Sequence, residues 1–391
     1  MAGDWPHWRG PGRDGVSAEA NWNPRWPAAG PKRLWEAQVG TGFAAVSVAE
    51  GRAYTMGNLN NRQDAVWCFD AATGKVIWKH TDACKGGGAG YPGPRTQPTV
   101  DGNRVYTLSV YGHLKCLSAA DGNVVWQVDA KRQLRAKAPN HGYSCHPVVI
   151  GEKLVVEVGA AAGSVVAFDK TDGRVLWQSG KDPVGYSTPL PFTFRGRQCI
   201  AMLTGKNLLS MDAANGRELW RYPWDVRYDC AITSPIVSGE KVFISSGYKM
   251  GAALLQLGGG RPKVLWRHQE MSNHFNSCVL WKGHLYGFDG ADESRRNNKN
   301  SLLRCLDFKT GAVRWSHKGL GKGSLMVAAG RLVVLSEYGE LLTADATPAG
   351  FKPISRAKVL TGRCWTMPVL ANGRIYCRNH AGHLICLDVS R

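Results

Sequence analysis

The stretch His141-Gly-Tyr143-Ser-Cys145-His146 gathers two imidazoles, a phenol and a thiol within six residues. Such groups suit proton transfer or metal ligation, because imidazole titrates near neutrality and thiolate binds soft metals. Related groups stand elsewhere in the chain: Tyr91 and Arg95, Tyr186, Arg227, Tyr228 and Asp229, His274 and Asn276, Lys322, and Arg363 with Trp365. If the loops that carry them open on one face, they build a funnel of tyrosine, histidine, arginine and tryptophan. That chemistry fits a sugar ring bearing a carboxylate or sulfate, through stacking and charge-assisted hydrogen bonds. A catalytic version would use His141, Tyr143 and His274 for acid–base steps on a uronate, with Arg227 or Arg363 neutralising its carboxylate. The plainer alternative is that Tyr and His cap neighbouring strands while Arg pairs with backbone carbonyls. Residue types alone leave these readings open.

What must position these residues is a repeat. Cys68-Phe-Asp-Ala-Ala-Thr-Gly-Lys-Val-Ile-Trp78 recurs as Cys116 to Trp126, Ala167 to Trp177, Ser210 to Trp220 and Cys305 to Trp315. Two apolar strand ends flank a turn in which Gly takes positive φ beside a capping Asp, Asn or Thr. The Trp offers a broad surface to bury against a neighbouring unit. Trp35, Trp78, Trp126, Trp177, Trp220, Trp266 and Trp315 follow at intervals of 43 to 51 residues, the period of four-stranded propeller blades. The C-terminal Cys386-Leu-Asp388 lacks a following Trp strand, and Trp35 lacks strands before it. The economical fold is an all-β, eight-bladed β-propeller of four-stranded blades, its ring closed by the N-terminal strand completing the C-terminal blade. Residues 33–391 form that propeller. Residues 1–32, which hold Trp5, Trp8, Trp22 and Trp26 among Pro and Gly, form a strap expected to pack on it. Two units depart from the repeat: Leu257-Gly-Gly-Gly-Arg-Pro262 precedes Trp266, and Ala344-Asp345-Ala-Thr-Pro348 has no Trp after it.

Aligning the blades sorts the cysteines. Two residues before the position of Pro98, Pro147 and Pro235, the innermost strands read Ala44, Thr96, Cys145, Ser187, Thr233, Asn276, Gly323 and Thr366. Small residues belong where eight strands crowd one axis, so Cys145 reads as packing. Cys230, Cys278 and Cys364 fall at other depths, and metal–thiolate bonds of about 2.3 Å demand close convergence. No metal site is expected. Cys68, Cys116, Cys305 and Cys386 occupy the repeat's buried strand position.

The chain carries 49 Lys and Arg against 30 Asp and Glu, a net charge of +19. That field favours anionic partners. The basic residues are scattered, with loose clusters only at Lys131–Lys137 and Arg295–Lys299, and no basic helix or arm speaks for nucleic acid. No apolar run reaches transmembrane length. With eleven cysteines at least one is unpaired, and no C-x-x-C marks a redox pair or zinc ribbon.

The Asp-x-x-Thr-Gly-x-x-x-Trp turns resemble the PQQ-like repeat of quinoprotein dehydrogenase-like propellers, over roughly Arg33 to Arg391. Asp4 to Ser17, Asn273-His-Phe-Asn276, Gly321-Lys-Gly-Ser-Leu325 and Gly362-Arg-Cys-Trp-Thr366 resemble a secreted bacterial subfamily, related in fold to the outer-membrane barrel-assembly scaffold lipoprotein. The resemblance implies an exported chain, periplasmic or extracellular, whose signal has been removed. It also raises PQQ held on Ca²⁺, with Trp365 as a stacking floor. The adjacent-cysteine lid of those enzymes is missing and no acidic ligand set is identifiable, so PQQ is not favoured and no cofactor is expected. The combined expectation is a monomeric binding or scaffold protein whose funnel takes an anionic small molecule or glycan, or whose face takes another protein. The competing class is an enzyme, a lyase or hydrolase on acidic polysaccharide or a PQQ-dependent oxidoreductase.

Overall fold

The computed structural model describes residues 3–87, 90–290 and 300–391; the basic cluster Arg295–Lys299 lies outside them. Eight antiparallel sheets repeat one plan. The first blade runs Ser47–Ala49, Arg52–Leu59, Gln63–Asp70 and Val76–Ala83 from the innermost strand outward. The eighth is built from Val369–Ala371, Arg374–Arg378 and His383–Asp388, and the N-terminal strand Arg33–Gln38 supplies its outermost position with Trp35 opposite Cys386. The ring therefore closes as the repeat predicts, leaving no open seam between first and last blades.

The repeated phrase is the device that joins blade to blade. Asp70 accepts hydrogen bonds from the backbone N–H and the hydroxyl of Thr73, which folds the turn, and Gly74 sits at φ 73°. The Trp of the preceding blade packs on that glycine: a Cβ on Gly74 would lie 2.5 Å from the Trp35 ring, and one on Gly173 would lie 2.6 Å from Trp126. The indoles of Trp35, Trp78, Trp126, Trp266 and Trp315 also donate to a carbonyl of the next blade's turn, Trp35 to Ala71 at 3.1 Å and Trp78 to Ala119 at 2.9 Å. Glycine is thus required twice, for its φ and for the ring lying against it. Cys68, Cys116, Cys305 and Cys386 are fully buried opposite Trp78, Trp126, Trp315 and Trp35.

The seventh blade shows why its repeat lacks Trp. Ser355 stands opposite Thr343, where other blades place Trp. The N-terminal segment occupies that gap: Thr343 donates to the Pro24 carbonyl at 2.7 Å, and the Trp26 N–H donates to Ser355 at 3.0 Å.

Antiparallel order puts the loop before each innermost strand and the hairpin between second and third strands on one face, here the upper. The other hairpins share the lower face. Residues 4–19 cross the lower mouth of the ring. Trp5 pairs with Val48, Arg13 donates to the Val149 carbonyl, and Val16–Ser17 adds a parallel strand to Val327 and Ala328. Arg9 is buried and donates to the Cys278, Asp14 and Arg13 carbonyls. Among the described residues no helix is long and apolar enough to cross a membrane.

Candidate ligand-binding site

The upper-face loops converge. Trp365, from the loop leading into blade eight, stacks on Phe275 of blade six with centroids 4.0 Å apart. Phe43 lies 5.7 Å away and Tyr91 5.6 Å away, from the loops leading into blades one and two. Tyr91 meets His141 at 6.4 Å, and His141 meets Tyr186 at 6.1 Å. On the other side His274 contacts Phe275 at 4.1 Å and Tyr248 at 5.1 Å. The result is an aromatic floor drawn from most of the ring. Cations are seated on it: the Arg363 guanidinium carbon lies 4.4 Å from the Trp365 ring and 5.6 Å from Tyr91, and Lys322 Nζ lies 5.7 Å from Phe275. Arg227, exposed, lies 4.9 Å from the Tyr228 ring.

A buried carboxylate holds the floor in place. Glu337, in the second-to-third-strand hairpin of blade seven, accepts the Trp365 indole N–H at 3.0 Å and the Lys322 backbone N–H at 2.9 Å. One side chain thereby fixes both the ring under Arg363 and the loop that carries Lys322. Asn276 links the same loops, donating to the Gly323 carbonyl at 3.0 Å and the Trp365 carbonyl at 3.5 Å. Arg95 donates to the Tyr91 carbonyl at 2.7 Å, and burial lowers its pKa to about 10. Tyr186 is buried, and its hydroxyl accepts the His141 backbone N–H at 3.1 Å. Asp229, at φ 54°, lies 3.6 Å from Lys206 Nζ. Burial, with the charges of Lys322 and His141 adding to it, lowers the His274 pKa to about 3.

Two residues expected in the funnel lie elsewhere. Tyr143 is buried, its hydroxyl donating to the Val158 carbonyl at 2.7 Å, and burial pushes its pKa up. His146 is buried beneath the strap, stacked on Trp8 at 4.3 Å, with Nδ1 2.7 Å from the Thr188 hydroxyl; burial lowers its pKa to about 3. The set His141, Tyr143 and His274 is therefore not assembled: two imidazoles share the upper face and the phenol is packed away from it. The ring of small residues is tied inward instead. The Ser187 hydroxyl donates to the Thr233 carbonyl at 2.9 Å, and the Cys145 sulfur accepts the Glu157 N–H at 3.4 Å. All eleven cysteines are buried and unpaired. Phe43, Phe275, Tyr248, His380 and Glu337 are site residues that the sequence reading passed over. Glu337 and His380 come from hairpins of the form Ser336-x-x-Gly339 and Asn379-x-x-Gly382, and that shared spacing was the available signal.

A family model described as "Outer membrane protein assembly factor BamB" matches residues 62–317 and 298–391. The chain belongs to this PQQ-like family of propellers. A BamB of Yersinia pestis is 23% identical over 318 residues, covering 76% of this chain and 75% of that protein. Among solved structures, BamB of Moraxella catarrhalis superposes with TM-score 0.64 at 15% identity, covering 92% of this chain and 98% of that one. A quinohemoprotein alcohol dehydrogenase of Comamonas testosteroni gives TM-score 0.73 at 14% identity, covering 98% and 80%. These likenesses establish the propeller that BamB shares with quinoprotein dehydrogenases. The ring of Trp365, the candidate floor, already carries Phe275 and Arg363, and no three His, Cys, Asp or Glu side chains among the described residues converge to hold a metal.

Proposed function

We propose that this protein is an exported binding propeller whose upper face holds an acidic glycan, with a uronate carboxylate at Arg363 and the sugar ring over the aromatic floor. The observation that supports this most is Arg363 seated 4.4 Å from a Trp365 ring that Glu337 anchors. A guanidinium held on an aromatic face keeps its planar fork available for two parallel hydrogen bonds to a carboxylate. The rings beside it offer apolar surface to sugar C–H faces. The net charge of +19 adds long-range attraction for a polyanion. Binding is favoured over turnover. A general base works best with a pKa near the operating pH, whereas His274 lies at about 3, and the Tyr143 hydroxyl is committed to Val158. A periplasmic or extracellular location belongs to the same reading, supported by relatives named for outer membrane assembly. Those names also favour a second reading, a protein partner scaffolded at this face.

Calorimetric titration of trigalacturonate into the protein at fixed ionic strength tests the proposal. Saturable binding is expected, weakened at least tenfold (about 1.4 kcal/mol) by Arg363→Ala, while neutral maltotriose does not bind. Absence of binding to the unaltered protein, or binding indifferent to Arg363→Ala, would sink it.

A further inference from the structure

The aromatic contacts do not stop at the cup beneath Arg363; they continue across the upper face. From blade eight to blade five, successive ring centroids are separated by 4.5 Å (His380–Phe43), 5.7 Å (Phe43–Trp365), 4.0 Å (Trp365–Phe275), 4.1 Å (Phe275–His274), 5.1 Å (His274–Tyr248) and 5.6 Å (Tyr248–Tyr228). The far end is held at a cost. Tyr228 and Tyr248 both adopt left-handed backbone, at φ 61° and φ 56°. Non-glycine residues seldom adopt this conformation, and it concentrates at functional sites. Tyr228 is also 55% exposed, the most exposed large apolar side chain among the described residues.

Cations stand along this path at Arg363 by Trp365 and Arg227 by Tyr228, both exposed, with the buried Lys322 by Phe275 between them. A single carboxylate needs only the first. Building on the uronate reading above, we infer that the ligand is a polyuronate chain laid along this track, with Arg227 and the Tyr228–Tyr248 pair forming a distal subsite for a later sugar. Single-stranded nucleic acid is the other polyanion that pairs aromatics with cations, but it needs open ring faces on which bases stack. Here the near-parallel rings face one another, Phe43 with His380 at 18° and Phe275 with Trp365 at 26°. The distal Tyr pair meets edge to face at 73°. Sugars, whose hydroxyl rims and C–H faces use both edges and faces, suit such a surface better than bases do.

The test is a chain-length series by calorimetry: galacturonate of one, three and six units, and hexathymidylate as the nucleic-acid probe, against the full chain and two variants. Affinity is expected to rise at least tenfold from trimer to hexamer. Arg227→Ala should bring the hexamer down toward the trimer, whereas Arg363→Ala should weaken trimer and hexamer alike. Length-independent binding, a hexamer indifferent to Arg227→Ala, or hexathymidylate binding more tightly than hexagalacturonate would each overturn the inference. If no uronate of any length binds the unaltered protein, the uronate reading itself fails. Length independence alone removes only the distal subsite.

Discussion

His141, Tyr143, Cys145 and His146 show how one short run distributes its chemistry. His141 joins the upper floor, Tyr143 turns between blades, Cys145 faces the crowded inner ring and His146 lies under Trp8. Adjacent side chains leaving a loop for a strand alternate in direction, and the sequence says that they alternate without saying toward what. That is why Cys145 was legible, through its seven aligned counterparts, and Tyr143 and His146 were not. The buried histidines also set a pH dependence. His146 titrates near 3 in the folded protein and His7 near 4, both lowered first by burial from an ordinary value of 6.5. In the unfolded chain they take up protons as pH falls below 6.5. The folded protein therefore loses stability from 6.5 down toward 3 to 4, where it begins to protonate as well. The urea midpoint at pH 4.5 should lie below that at pH 7, and His146→Gln should narrow the gap. An unchanged gap in that variant would contradict the assignment.

At the level of elements, the contact of Trp35, Trp78, Trp126, Trp177 and Trp266 with the next blade's turn glycine accounts for both the repeat and its legibility. It couples two residues about a blade apart in sequence, so eight blades could be counted from spacing alone. Trp126 is 8% exposed and donates to the Lys170 carbonyl, while Gly173 stands against its ring at φ 77°. Trp126→Ala should cost about 3–5 kcal/mol. Gly173→Ala should cost more than the ~1 kcal/mol of an ordinary unfavourable glycine replacement, because it adds a clash to a disfavoured φ. Equilibrium urea denaturation reads both, and a neutral Gly173→Ala would refute the docking account. The missing Trp of blade seven was visible in the sequence, but its replacement by Pro24 and Trp26 was not, since nothing local ties residues more than three hundred positions apart. The floor of the upper face was half legible for the same reason. Its lead-in loops stood out by composition, whereas Glu337 and His380 arrive from hairpins with ordinary turn spacing.

Across the whole molecule, the N-terminal segment and the proposed ligand surface lie on opposite faces. The seam between blades eight and one is closed by Trp35 in strand order and by Arg378, which is fully buried and donates to the carbonyls of Gly40, Gly42, Ala44 and Met56 and to the Thr55 hydroxyl. Burial lowers its pKa to about 9, so those oxygens rather than a carboxylate keep it charged. Residues 4–19 cross the lower mouth, and the aromatic and cationic groups of the lead-in loops gather above. A crystal structure of the protein grown with hexagalacturonate places the ligand most directly. The expected result is sugar density along the rings from Phe43 to Tyr228, with carboxylates at Arg363 and Arg227. Ordered sugar on the outer rim or lower face, with those rings bare, would contradict the account.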